Sequence, residues 1–424
     1  MTITERQDPL VPPEGPDIRP ATGTKPLLSG PARLFAYAVG AIAVLSLARA
    51  VTDVDQLTGA GMFRSALLLS MPVALAGLGG VWAERCGIIN IGLEGMMILG
   101  TWFGAYGGLT WGPWQGIALG VLGGALGGLI HAVATVSFGV DHIVSGVAIN
   151  LLALGLTDFL TTVTWEGATR DSPSFDGNTG RIDLLPFMGD TLRDLGERDL
   201  FLISDAANLL AGTTQNVPMV IVLALVLFPL SWFVLWRTSV GLRLRSVGED
   251  PEAADSLGVK VYATKYLALG VSGAMAGLGG VILVYLFSSQ FSSGQTGGRG
   301  YIGLAAMIFG NWRPGGLLAG AGLFGFMDAM QSQVDRTSHA LLVVAALLLA
   351  VLAIRAIILR RWINAGVLAT AAVGAWLWYQ GTDQLPREFI PYFPHITTLL
   401  VLVFASQRLR PPAAIGRVYR RSGR

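Results

Sequence analysis

The chain carries very little charge: Asp, Glu, Lys and Arg make up 13% of its 424 residues, against about 25% for an ordinary soluble domain. Water is therefore not its main solvent. The single cysteine, Cys86, excludes an internal disulfide framework. Four histidines, none at ligand spacing, give no basis for a metal site, and no cofactor is assigned. Lysine occurs only at Lys25, Lys260 and Lys265; the net charge is +2 and the basic residues are scattered, which argues against a nucleic-acid partner. There is no G-x-x-x-x-G-K-[ST] phosphate loop. The nearest approach is Thr22-Gly23-Thr24-Lys25-Pro26, so the chain cannot hydrolyse ATP by itself. No nucleophile stands beside a base at motif spacing, so no catalytic residue is assigned and the chain does not read as an enzyme.

What the chain has instead is apolar length. Hydrophobic residues make up 52% of it, and 56 glycines are mixed among Leu, Ala and Val. Twelve apolar segments are expected, at about 32–50, 64–82, 87–109, 115–137, 143–163, 217–237, 265–288, 300–312, 315–330, 339–358, 363–380 and 395–407. A hydrocarbon core roughly 30 Å thick needs about 20 helical residues, so several of these span a bilayer. The eighth and twelfth are short and read as half-helices or as spans that borrow flanking length. Small residues let helices approach closely in lipid, where hydrophobicity no longer drives association. The fold class is all-α, a polytopic transmembrane helical bundle.

Lys and Arg near the helix ends set the orientation. Arg237, Arg243, Arg245, Lys260 and Lys265 mark one loop, Arg360 and Arg361 a turn, and Arg408, Arg410, Arg417, Arg420, Arg421 and Arg424 the tail. Alternating twelve segments from an inside N-terminus puts all three in the cytoplasm. Residues 1–31 are rich in Pro, Gly and charge, which predicts a disordered cytoplasmic tail and not a cleavable signal. The same alternation puts 164–216 outside, with nine acidic residues and four arginines, as a small subdomain or a flap.

An internal repeat carries the most information. Ala76-Gly77-Leu78-Gly79-Gly80-Val81 recurs as Ala276-Gly277-Leu278-Gly279-Gly280-Val281. Ile91-Gly92-Leu93 is echoed by Ile302-Gly303-Leu304, and Trp111-Gly112-Pro113 by Trp312-Arg313-Pro314, in the same order. Segments two and seven are equivalent, and an offset of five spans inverts the second copy. Inverted repeats meeting near the bilayer midplane are a transporter architecture. In both copies an apolar helix runs into Gly and polar residues, at Glu84–Gly95 and Ser288–Gly300. Such interruptions need a cavity or neighbouring protein to satisfy their backbone.

Glu94 lies among apolar residues, where a charge at mid-span costs about 2.5–3.5 kcal/mol. A water-filled pathway, a solute donor or a helix N-terminus would offset that; the plain alternative is a structural carboxylate bonded to a neighbouring helix. Asn90 is expected on the same helical face. Asp141 and His142 read as capping groups ahead of a span containing Asn150, a further candidate. In the loop 238–264, Gly248 to Gly258 reads as one short helix, with Asp250 at N-cap, Pro251 at N1, Glu252 in the first turn and Gly258 at C′. It suits docking onto a cytoplasmic partner, and an ordinary solvated helix is the alternative.

With these segments in view, the chain resembles the permeases of ABC importers in the branched-chain amino acid, ribose and nucleoside group, in its nucleoside (guanosine- and uridine-type) branch. The resemblance rests on Glu84-Arg85-Cys86-Gly87-Ile88-Ile89-Asn90-Ile91-Gly92-Leu93-Glu94-Gly95-Met96-Met97, on Ile143 to Gly155, on Val247-Gly248-Glu249-Asp250-Pro251-Glu252-Ala253-Ala254, and on Ala305-Ala306-Met307-Ile308-Phe309-Gly310-Asn311-Trp312-Arg313-Pro314. It implies a bacterial inner-membrane permease, working by alternating access with a second permease subunit, commonly a paralogue. A cytoplasmic subunit with two nucleotide-binding cassettes and an external substrate-binding lipoprotein complete the assembly. By resemblance, Arg243, Arg245, Glu249, Asp250, Glu252, Asp255 and Gly258 couple to the ATPase. Asn90, Glu94, Asn150 and Tyr301 are expected to line the solute pathway, with Tyr301 offering a face for a base.

Typical members have about ten helices, expected here as two inverted five-helix repeats, so 339–380 looks like an inserted pair. The expected organisation is 1–31 tail, 32–338 permease core, 339–380 inserted pair, 381–407 last span and 408–424 basic tail. The rivals are a permease for simple sugars or branched-chain amino acids and, from another class, an ion-coupled secondary transporter.

Overall fold

The computed structural model describes residues 30–165, 171–331, 335–386, 388, 392 and 409–420. The tail expected before residue 30, the last apolar segment 395–407, and Arg408, Arg421 and Arg424 lie outside the described residues. The helices are α1 (Gly30–Thr52), α2 (Ala60–Arg85), α3 (Leu93–Trp111), α4 (Pro113–Ala132), α5 (His142–Thr164), α6 (Gly189–Glu197), α7 (Ile203–Thr214), α8 (Met219–Arg237), α9 (Ser239–Glu249), α10 (Pro251–Ser256), α11 (Val261–Leu283), α12 (Arg299–Phe309), α13 (Pro314–Gln331), α14 (Asp335–Ile358) and α15 (Trp362–Gly381). A two-residue strand pair, β1 (Arg181–Ile182) with β2 (Val217–Pro218), joins the ends of the α6–α7 excursion.

Each of the first eleven expected apolar segments holds a helix. Among the described residues, six helices combine span length with high hydropathy: Ala60–Arg85, Pro113–Ser137, His142–Thr164, Met219–Arg237, Val261–Ser288 and Thr337–Ile358. In α3, α13 and α15, with 19, 18 and 20 residues, glycine and polar residues dilute the apolar content. The eighth segment is short, as expected. α12 has 11 residues, about 16 Å at 1.5 Å per residue, or half a hydrocarbon core.

The bundle is built around α2 and α11, its two most enclosed spans, at 83% and 72% buried. Gly79 lies against the Ser272 carbonyl, and a Cβ on Gly279 would come within 2.9 Å of the Pro72 carbonyl. Moving from Pro72 to Gly79 along α2 moves the contact from Gly279 back to Ser272 along α11, so the helices are antiparallel. Each contact is also the other with its two helices exchanged, as in an interface with two-fold symmetry. The sequence repeat is thus a structural repeat, and it is inverted.

Small residues make the crossings possible. Gly120, Gly124 and Gly128, one per turn of α4, face Gly273, Gly277 and Leu269 on α11. A Cβ on Gly277 would lie 2.6 Å from the Gly120 oxygen and 2.9 Å from the Gly124 Cα. Where lipid is as apolar as leucine, such backbone approach supplies the packing that holds helices together.

α14 and α15 lie against each other, and α14 meets α1 through Ala48, Ala340, Val343 and Val344. None of the described residues of this pair joins the main core cluster. At the opposite end from α9 and α10, α6 and α7 pack together and are held to α1 by Arg49, which reaches Asp199 and the buried Asp205 at 3.0 Å each.

Gly277→Val should therefore destabilise the bundle by about 1–3 kcal/mol or more through overpacking, whereas Gly366→Val, with open space around it, should not. Thermal melts in detergent measure the difference, and equal melting of the two variants would contradict the crossing.

Candidate functional site at the helix breaks

Both repeats break at the same point. After α2 the chain leaves helical geometry from Cys86 to Gly92, turning at Gly87 with φ +83. After α11 and a π turn at Val284–Ser288, residues 289–298 are irregular, with positive φ at Ser289, Gly294, Gly297 and Gly298. Each break delivers the chain into a new helix, α3 or α12. The far end of α12 lies beside α9: Arg85 donates from Nε to the Trp312 carbonyl at 3.2 Å, and Gly248 abuts the Arg85 carbonyl. The N-terminus of α12 therefore sits about half a bilayer above that end.

There it meets the N-terminus of α3. Glu94, the second residue of α3, reaches across to α12. Its Oε1 accepts from Thr296 Oγ1 at 2.6 Å and from Gly298 N at 2.9 Å, and its Oε2 accepts from Gly300 N at 2.7 Å. The side chain is buried, and a Cβ on Gly300 would be 2.6 Å from Glu94 Cα. Hydrogen bonds to a charged group contribute about 1.5–3 kcal/mol each. Three of them offset the ~2.5–3.5 kcal/mol of placing a charge at this depth, and two helix N-termini add to the same field. Glu94 acts here as the bracket between the halves, the plain alternative raised by its sequence.

Asn150 and Tyr301 complete the bracket. Asn150 Oδ1 accepts from Gly95 N at 2.7 Å, and its Nδ2 donates to the Ile91 carbonyl at 3.1 Å and to the Tyr301 hydroxyl at 2.8 Å. Tyr301 is 45% exposed, the open edge of the group. Asn90 departs from expectation. Because α3 begins only at Leu93, Asn90 lies in the break and not on the Glu94 face; its Nδ2 donates to Ser272 Oγ on α11 at 2.9 Å. Its buried Oδ1 has no hydrogen-bond partner among the described residues.

Sequence reading missed Thr296, Ser272 and the ion pair of Arg299 with Asp328, whose Nη2 and Oδ2 are 2.7 Å apart, with Gln331 also donating to Asp328. The pair left a signal, since two ionisable residues flank apolar helix at span depth. Thr296 and Ser272 left none. Asp141 caps α5 as expected, accepting from Ile143 N and Val144 N.

The loop expected to hold a single short helix holds two: α10 covers Pro251–Ser256, starting at the expected N-cap Asp250, and α9 precedes it, ending at Glu249, because the Asp250–Pro251 step cannot continue a helix. The expected caps hold: Asp250 Oδ1 accepts from Glu252 N and Ala253 N, Pro251 is at N1, and Gly258 turns with φ +82. Arg243 and Arg245 lie on α9, not in a loop; Arg245 Nε donates to the Leu235 carbonyl at 2.9 Å. Leu257, which closes α10, is 85% exposed.

The family model described as "Branched-chain amino acid transport system / permease component" matches residues 62–352. The guanosine ABC transporter permease protein NupQ of Bacillus subtilis is 37% identical over 274 residues, 62% of this chain and 79% of its own length. The nucleoside ABC transporter permease protein NupC of Lactococcus lactis is 33% identical over 359 residues, 82% of this chain and 93% of its own. The putative glucose ABC transporter permease protein TsgC13 of Haloferax volcanii is 32% identical over 368 residues, 85% and 98% of the two chains. No solved structure matches.

Glu94→Gln replaces one acceptor oxygen by an NH2 group facing N–H or O–H donors, which should cost about 1–3 kcal/mol. Tyr301→Phe leaves Asn150 bonded to Gly95 and Ile91 and should cost less than about 1 kcal/mol. Detergent melting curves compare them, and a Glu94→Gln protein as stable as wild type would rule out the bracket.

Proposed function

The chain belongs to the family of permease components of branched-chain amino acid transport systems, and from that premise we propose that it translocates nucleosides across a bacterial inner membrane by alternating access. The observation that carries the solute class is the pair of relatives named for guanosine and for nucleosides, at 37% and 33% identity. A sugar reading is the second, favoured by the relative named for glucose.

The geometry supports a passage at the breaks. Irregular backbone half a bilayer deep is tolerated only where protein or water covers it. The exposed face of Tyr301, whose hydroxyl bonds Asn150, is that kind of surface. Tyr301 supplies an aromatic plane for a base, and Asn90, Asn150 and the Glu94 bracket line or support the passage. Water fills it when the halves part, and a second permease, commonly a paralogue, covers the remaining side. With arginines of α9, the Arg360–Arg361 turn and the C-terminal segment inside, both termini are cytoplasmic and α6–α7 is external.

α10 then faces the cytoplasm as the lever. Asp250, Glu252 and Asp255 place acidic groups on it, Arg243, Arg245 and Glu249 stand on the preceding α9, and Gly258 ends it. The exposed Leu257 at its tip suits an apolar socket on an ATP-binding subunit with two cassettes. An external lipoprotein delivers the solute from the other side. The segment 339–380, packed on α1 and away from the core, fits an inserted pair.

Uptake of labelled guanosine, glucose, ribose and leucine into a deletion strain carrying this chain tests the solute class; uptake of glucose alone would overturn the nucleoside reading. Leu257→Asp should cut uptake and co-purification of the ATPase about tenfold, equivalent to about 1.4 kcal/mol of docking, with membrane levels unchanged. Full uptake by that variant would remove α10 from the docking site.

A further inference from the structure

Two short segments, far apart in sequence, one extended (171–175) and one a turn (413–416), grip the two helix breaks from opposite ends of the bundle. On the α6–α7 end, Asp171–Phe175 pairs with the break after α11. Asp171 and Ser292 form an antiparallel bridge; Ser172 N donates to the Phe291 carbonyl at 2.9 Å, Phe291 N donates to Ser172 Oγ at 2.8 Å, and Phe175 N donates to the Ser289 carbonyl at 2.8 Å. Phe175 also packs edge-on against Tyr285 at 5.1 Å. On the α9–α10 end, residues 413–416 pair with the break after α2 and with α9. Ala413 N donates to Glu249 Oε2 at 3.2 Å, Ala414 N to the Gly248 carbonyl at 2.9 Å, and Gly416 N to the Gly87 carbonyl at 3.0 Å.

The inverted repeat relates the two grips. The first segment follows the fifth span, of the first half, and closes on the second half's break. The other follows the last apolar stretch and closes on the first half's break. Each break leads directly to the bracket: Ser289–Gly298 ends in the donors to Glu94, and Gly87–Gly92 leads into the helix that carries Glu94. Beside the first grip opens a cavity of about 500 Å3, lined by Asp176, Asn178, Arg181, Tyr285 and Ser289, large enough for a solute of nucleoside size.

We infer that these segments are a pair of latches, an outer one at Asp171–Phe175 and an inner one at Ala413–Gly416, which close the two sides of the passage and release in turn. This rests on the alternating-access reading above. The inner latch is held by Gly248 and Glu249, immediately before the lever α10, so movement of α10 pulls on it directly. The outer latch belongs to the excursion that carries α6 and α7, so a receptor seated there pulls on the other. Both are engaged in this structure.

The test uses the full chain with its ATPase in a Cys86→Ala background. An antiparallel bridge sets Cα atoms within disulfide range, so Asp171→Cys with Ser292→Cys should oxidise, scored on a gel by the loss of both maleimide-PEG adducts. Oxidation should lower uptake about tenfold or more, as a trapped state predicts, and reductant should restore it. ATP and receptor should slow the cross-linking several-fold. For the inner side, Ala414→Pro deletes one latch N–H and should leave ATP hydrolysis running while uptake falls. A pair that never oxidises, an oxidised pair that transports normally, or an Ala414→Pro protein with unchanged coupling would each overturn the latches. Failure of the Cys86→Ala parent to take up any nucleoside would instead count against the solute reading, because cross-linking is scored without solute.

Discussion

A carboxylate in the middle of a membrane protein must find donors or give up its charge, and in this chain one half of the molecule supplies them to the other. Glu94 sits at the start of α3, and among the described residues every bond to its oxygens comes from Thr296, Gly298 and Gly300 at the start of α12. The two helix N-termini can therefore face each other without leaving backbone N–H groups bare in a low-dielectric interior. The irregular breaks survive at that depth because this bracket, with Asn150 and Tyr301, takes up their polar groups.

The close approach of the halves depends in turn on glycine. Gly79 and Gly279 let α2 and α11 cross with backbone against backbone, and the glycine stripe of α4 does the same for α11. Leucine at these positions would hold the helices apart and take the N-termini of α3 and α12 out of bonding distance. Glycine content that would signal disorder in a soluble chain is here the condition for a tightly packed one. The packing also brings Gly248 of α9 against the Arg85 carbonyl at the first break.

Much of this was legible in residue order. The apolar segments, the shortness of the eighth, the two interruptions and the inverted repeat all follow from hydropathy and a six-residue identity. So do the caps at Asp141 and Asp250, because capping chemistry is local. Local reasoning failed where geometry depends on what lies across the bundle. Asn90 looked like a helical neighbour of Glu94, four residues away, and it is not, since the helix starts after it. The loop before α11 was expected to hold one helix starting at Asp250–Pro251, and it does, but a second helix, Ser239–Glu249, precedes it.

By itself, then, the sequence determined the solvent, the span lengths, the existence of two equivalent halves and the family, because these depend on composition and on spacing along one chain. The tertiary structure alone decided which groups answer Glu94, which serine faces Asn90, and which two remote segments hydrogen-bond to the two breaks. Those partners lie roughly 100 to 300 positions apart, and a hydroxyl or a backbone N–H leaves no mark in a sequence to say which distant oxygen it will meet. That choice is made only when glycine-lined helices come together and every buried polar group must be satisfied at once.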